Sequence, residues 1–407
     1  ARAGELSNGS AAGQRVEEIL QDILPMLEQT SPPIFPDDIA LAIRLTIRSE
    51  DALPVDALSI RAQLQELPVP SYNITSVEAV SDPDTKVAAL VYGTWDVPSF
   101  REGSFVARDG AGLPLYTGTV SIPFVLSLPD ETIFGPVPVT MYQHGQPGTA
   151  EEGLPRTAVG FSEVGHALIG FTDIVNREVI TSGDTSALTQ DVFQTLLVDN
   201  RTPEYLGTLP LAEQLAFIRM ISGLDRLDVF PVGAPDGVPD LDVSAPLSYL
   251  GISKGSTHGT RLVPYAPEIR AAQLAVAGER LSAVYIHQSS DSIYEFASQF
   301  FSGVSRTDLY VSLALLQMGY DPQDAVNHTR YMYRAPHELG NKNRASVLLT
   351  AGLADPLTPP YSTETAAWGF GLPHLEPVQS SVPSLPVISG PISANLGANQ
   401  TGAYYQY

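Results

Sequence analysis

Between residues 13 and 29 apolar side chains recur at Val16, Ile19, Leu20, Ile23, Met26 and Leu27, with Glu17, Glu18 and Asp22 on the opposite side. That spacing predicts an amphipathic helix docked by its apolar stripe. The period then drops to two. Ile39, Leu41, Ile43, Leu45 and Ile47 alternate with their neighbours, as in a half-buried strand. More short strands are expected near 87–95 and 114–128, separated by Pro, Gly and Asp. Residues 30–130 therefore read as a β-rich region that precedes or extends a main sheet.

From about residue 132 the pattern changes to strands alternating with helices. Pro138–Tyr142, Ala167–Phe171, Leu247–Ile252, Gln273–Val276 and Ser346–Thr350 are short apolar runs, the first two separated by a helix that includes Val159–Val164. Such runs fit strands buried on both faces, so the expected class is α/β: a mostly parallel sheet with helices on both faces. The organisation expected is an N-terminal helix and β-rich region over 1–130, then an α/β domain over 131–407. Helical stretches at about 185–230 and 290–340 sit between core strands and are candidate cap insertions.

Composition narrows the partners. With 43% hydrophobic and 16% charged residues, the 407-residue chain is globular and long enough for more than one core. Its 45 acidic and 22 basic residues give a net charge of -23. Nucleic acid and anionic headgroups would be repelled, so a nucleic-acid partner is excluded and a small neutral or apolar substrate is expected. Absence of cysteine removes disulfides, thiolate metal sites and cysteine nucleophiles. No apolar stretch approaches the roughly 18 residues of a transmembrane segment. The chain opens Ala1-Arg2-Ala3, which reads as a processed, exported protein (periplasmic, outer-surface or secreted) whose signal peptide is already gone.

The sharpest chemical feature is Gly251-Ile252-Ser253-Lys254-Gly255, a G-x-S-x-G pattern directly after an apolar strand and before Ser256–Leu262, which can open a helix. A serine on a strand-to-helix turn needs small residues two positions either side, and the helix N-terminus favours a developing oxyanion. A second loop, Tyr142-Gln143-His144-Gly145-Gln146-Pro147-Gly148, also closes a strand. It can supply one oxyanion N–H from Gln146, with the other from Lys254, while His144 reads as a structural loop histidine. The third feature is Asp355 in Gly352-Leu353-Ala354-Asp355-Pro356, between a strand and a helix, where a carboxylate can orient a histidine.

In that order these motifs resemble the α/β-hydrolase superfamily. Over about 132–407 the chain is similar to bacterial exported lipases and esterases that carry an N-terminal β-rich segment. The resemblance implies an α/β-hydrolase fold and acyl transfer to water through an acyl-serine, on a small apolar ester or lipid-like substrate, with no cofactor. Ser253 would be the nucleophile, Asp355 the triad acid, and Gln146 and Lys254 the oxyanion donors. A lysine after the serine departs from the usual uncharged residue and leaves a thioesterase open; an exported serine peptidase and a non-catalytic relative are the other readings. The base is the missing member. His374 is expected at the start of the last core strand, too early for the role, with Gly390–Tyr407 the approach to the loop that should carry the base, so the base is expected beyond residue 407. His166, His258, His287, His328 and His337 read as packed or surface residues without metal-site spacing. Asp236, Asp240 and Asp242 could hold calcium, but read more simply as an acidic loop before a strand.

Overall fold

The computed structural model describes residues 49–407 apart from 83, 104, 180–201, 289–302, 304, 340–343 and 398, together with 21, 25–29 and 33. The helix expected over 13–29 lies largely outside the described residues, and the strand expected over 39–47 lies wholly outside them. The chain divides into two compact units, Ala1–Ala52 and Leu53–Tyr407. The elements below belong to the second.

Helix α1 (Val55–Glu66) precedes three antiparallel strands: β1 (Tyr72–Ala79), β2 (Val87–Ser99) and, after the small β3 (Arg101–Glu102) and β4 (Phe105–Val106) pair, β5 (Gly118–Pro129). Along β2 burial alternates strictly through Val87, Ala89, Val91, Gly93 and Trp95, as a two-residue period requires. β5 then pairs antiparallel with β7 (Ala167–Phe171), while β6 (Val139–Gln143) pairs parallel with β7. Parallel pairing continues through β8 (Leu247–Ile252), β9 (Ile269–Ala275), β10 (Ser346–Ala351) and β13 (Gly402–Gln406), and beyond it to β11 (His374–Leu375) and β12 (Val387–Ile388). The result is one eleven-stranded sheet in the order β1-β2-β5-β7-β6-β8-β9-β10-β13-β11-β12. Residue 130 lies between two strands of that sheet.

Adjacent residues of the central strands serve opposite cores. Met141, Ile169 and Tyr249 join one apolar cluster, and their neighbours Tyr142, Leu168 and Leu250 join another. Both faces are therefore covered, which is why β6 and β7 are buried at every residue. Helix α2 (Ala150–Ser162) closes the second face through Ala150, Leu154 and Ala158. α3 (Ile174–Val179) and α4 (Thr202–Ser222) lie on the first. α4 falls in the 185–230 stretch expected as a cap. It buries Leu215, Phe217 and Ile221, and the Phe217 ring packs 5.0 Å from Trp95 and 4.7 Å from Phe171. After α5 (Lys254–Leu262) and α6 (Leu281–Gln288), the 290–340 stretch contains α7 (Arg306–Tyr320) and the short α8 (Arg330–Tyr333); α9 (Pro360–Phe370) follows β10.

Two expectations at the C-terminal end need correction. The core strand beside β10 is β13, inside the Gly390–Tyr407 stretch expected as a loop approach. His374 opens the two-residue β11, on the far side of β13.

Candidate active site

Ser253 sits between the last residue of β8 and the first of α5, at φ 54° and ψ −118°. That backbone region is sparsely populated for any residue with a Cβ and persists only where the surroundings enforce it. Here the surroundings are the two flanking glycines. A Cβ on Gly251 would overlap the carbonyl of Gly255, and one on Gly255 would overlap the carbonyl of Gln143. Any larger residue at either position would push the turn out of place. The Ser253 amide donates to Ala275 O at 2.9 Å, and Ser253 O accepts from the amides of Ser256 and Thr257.

The parallel register Gln143↔Gly251 sends the loops after β6 and β8 out side by side. Gly145 lies against the serine, since a Cβ there would come within 3.2 Å of Ser253 Cβ and Ile252 O. Asp355 follows β10 at the same end of the sheet. Its Oδ1 accepts from the amides of Leu357 (2.8 Å) and Thr358 (2.9 Å). The end of β13 is sewn to this loop: Tyr407 N donates to Ala351 O and Leu353 N to Tyr407 O. Ser253, Asp355, Gly145 and Gln146 all line one open cleft of about 360 Å³, with Ile252, Leu357, Glu152 and Arg156 on its walls. The carboxyl end of a parallel sheet is where such folds hold ligands.

Behind the serine lies a buried polar cluster. Lys254 Nζ donates to Asp173 Oδ1 at 3.0 Å and to Asn176 Oδ1 at 2.9 Å. Asp173, Asn176 and His144 are each only 1% exposed. Burial, the largest single influence, pushes the Asp173 carboxyl up, but the charge and hydrogen bond of Lys254 together with the neighbouring His144 and His258 hold the group well below the usual carboxylate range. Burial also pushes His144 down, so its imidazole is neutral. Asp173 N donates to Nε2 at 3.1 Å, which makes Nε2 an acceptor and leaves the proton on Nδ1, 2.8 Å from Gly145 O. The 3.4 Å approach of His144 Nε2 to Asp173 Oδ2 is therefore not an ion pair. Sequence reasoning missed Asp173 and Asn176. The one available signal was the lysine beside the serine, which needs a buried counter-charge wherever it packs inward.

The remaining histidines lie elsewhere. His374 is fully buried, its ring 5.0 Å from that of Tyr404, and does not line the cleft. His328 bonds Tyr265 Oη and Pro322 O, His337 stacks near Tyr265, His166 meets Thr140, and His258 is buried on α5. The side chain of His287 is outside the described residues. The acidic loop serves its own turns: Asp236 accepts from Val238 N, Asp240 from Val229 N, and Asp242 from Ser244 and Ala245 N. Among the described residues no three potential metal ligands converge, and no helix is long and apolar enough to cross a membrane.

No protein-family model matches the chain, and comparison with curated proteins gives no match. Solved structures do resemble it. Acetyl xylan esterase 1 from Thermoanaerobacterium sp. is 12% identical, with 89% of this chain and 93% of that one covered at a TM-score of 0.42. S-formylglutathione hydrolase from Agrobacterium tumefaciens is 13% identical over 82% and 92%, TM-score 0.38. A glucuronoyl esterase from Teredinibacter turnerae is 14% identical over 79% and 74%, TM-score 0.40. The chain's own architecture, a mostly parallel sheet covered on both faces with a strained serine turn between β8 and α5, is that of the α/β-hydrolase fold.

Proposed function

We propose that the chain is a serine hydrolase that cleaves carboxylic esters through an acyl-serine intermediate. The observation that carries this is the strained Ser253 backbone, held by close-packed glycines, on a cleft that Asp355 also lines. Strain of that kind is maintained where it aims a side chain at chemistry. In the proposed reaction Ser253 Oγ attacks the acyl carbonyl while a histidine takes its proton, and that proton then leaves with the alcohol. Water attacks the acyl-serine with the same histidine as base, returning the acid and the free serine. Asp355 orients the imidazole and stabilises its cation. The amides of Gln146 and Lys254 receive the oxyanion; Lys254 N belongs to the first turn of α5, which the helix cannot pair internally.

The histidine is proposed to come from chain following β13, because that strand delivers its backbone at Tyr407 against the Asp355 loop. Ile252 and Leu357 on the cleft wall suit an apolar ester. The exported location expected from the sequence belongs to the same proposal, and recovery of the native protein from the cytoplasmic fraction would count against it. The enzymatic test is labelling with a fluorophosphonate probe and turnover of short-chain aryl esters. Ser253→Ala should abolish both; a Ser253→Ala protein that still labels and turns over would remove the serine from the mechanism.

A further inference from the structure

The cluster beneath the serine has no role in the acyl transfer written above, yet it joins the two loops that the reaction needs. From Lys254 Nζ the bonds run to Asn176 Oδ1, and Asn176 Nδ2 donates to Gly148 O at 2.6 Å. The other branch runs from Lys254 Nζ to Asp173, from Asp173 N to His144 Nε2, and from His144 Nδ1 to Gly145 O. The oxygens on both sides of Gln146-Pro147 are thus drawn inward. In a trans peptide the N–H points opposite to the C=O. With Gly145 O turned to His144, the Gln146 N–H of the same peptide unit faces away from the cluster, towards the cleft that Gln146 lines.

We infer that Lys254, Asp173, Asn176 and His144 are positioning residues that hold the two halves of the oxyanion site in register. One residue, Lys254, offers its backbone amide to one half and anchors the other half with its side chain. The inference rests on the reading of Ser253 as nucleophile. A salt bridge this buried is a costly way to fill space, since well-packed apolar residues often serve stability equally well. What apolar residues cannot do is carry hydrogen bonds to the carbonyls of Gly145 and Gly148.

The test uses the full-length protein and compares Asn176→Ala, Lys254→Met and the double variant Lys254→Met/Asp173→Leu, which removes both charges together and guards against misfolding of the single variant. With the melting temperature of the double variant close to that of the parent, kcat should fall about 10²–10³-fold, as on loss of an oxyanion donor, and KM should change little. Affinity for a boronic acid analogue of the tetrahedral intermediate should fall in step with kcat/KM. In the parent, ¹⁵N spectra at neutral pH should show His144 protonated at Nδ1 and bare at Nε2. A folded double variant with undiminished kcat, a rise confined to KM, or an Nε2–H tautomer in the parent would overturn the inference. Failure of the parent itself to label at Ser253 or to turn over esters would instead remove the nucleophile reading on which it rests.

Discussion

Replacing Asp355 with asparagine separates charge from shape. The carboxylate already spends one oxygen on the amides of Leu357 and Thr358, and an asparagine oxygen can accept the same two bonds. The loop should keep its form, with a melting temperature within a few degrees of the parent. Turnover should drop by about 10³–10⁴-fold, because a histidine facing an amide loses both its tautomer control and the partner for its cation. Steady-state kinetics beside a thermal melt decide the matter, and an unchanged kcat would move the triad acid elsewhere. Ser253, Gly251, Gly255 and Asp355 were all legible in the sequence because each is demanded by local chain geometry or by its place after a strand. Asp173 and Asn176 were not. They act through space on a loop 25 or more residues away in sequence, and nothing in their own neighbourhood announces it.

Among the elements, legibility followed burial. β7 and β8 occupy the residues expected from their apolar runs, β6 is shifted by one residue at both ends, β10 runs one residue longer, and β9 begins four residues before the expected Gln273 and ends one before Val276. Strands covered on both faces have little choice but to be continuously apolar. β13 escaped because Gly402-Ala403-Tyr404-Tyr405-Gln406 carries no aliphatic residue larger than alanine, although four of its five residues are buried. β1 escaped for the opposite reason: it is half-exposed and polar, with a register shift between Ile74 and Ser76. α4 was legible as a helix, but its position was not, since a helix apolar enough to cover a site is also apolar enough to enter the core. Its depth there makes a prediction. Phe217→Ala should destabilise the protein by about 3–5 kcal/mol through the cavity left between Trp95 and Phe171. Denaturant midpoints would show this, while Ser253 labelling of the folded fraction stays at the parental rate. A loss below about 1 kcal/mol would mean the site collapses around the gap.

For the molecule as a whole, buried titratable groups press on stability from both sides of neutrality. Burial holds His258 and His328 down at about 3, against an unfolded value of about 6.5. Their contribution is whole above about pH 6.5 and is lost as pH falls towards 3, because the unfolded chain binds protons that the folded one refuses. Glu279 acts in the other direction. Burial, with Asp324 beside it, raises its carboxyl well above the usual range. Its contribution is present below about pH 4 and is lost as pH rises. Glu279→Gln cannot ionise, so its stability relative to the parent should climb as pH rises above the ordinary carboxylate range, where the unfolded parent gives up a proton that the folded one keeps. Paired melts at rising pH check it, and a difference that stays flat would show that Glu279 is ionised in the folded protein.

The Ser253 backbone at φ 54° also places fold and reactivity in competition. A residue with a Cβ held there costs of order 1–3 kcal/mol, whereas glycine escapes most of that cost. Glycine in turn gives the unfolded chain extra freedom, offsetting about 0.4–1 kcal/mol. Ser253→Gly should therefore melt higher than both the parent and Ser253→Ala, while being inert towards esters. An equal or lower melting temperature would mean that the turn is relaxed as built. A higher one would mean that selection on this sequence has kept a less durable protein for the sake of one hydroxyl's aim, and that the same position is where durability can be recovered once activity is no longer wanted.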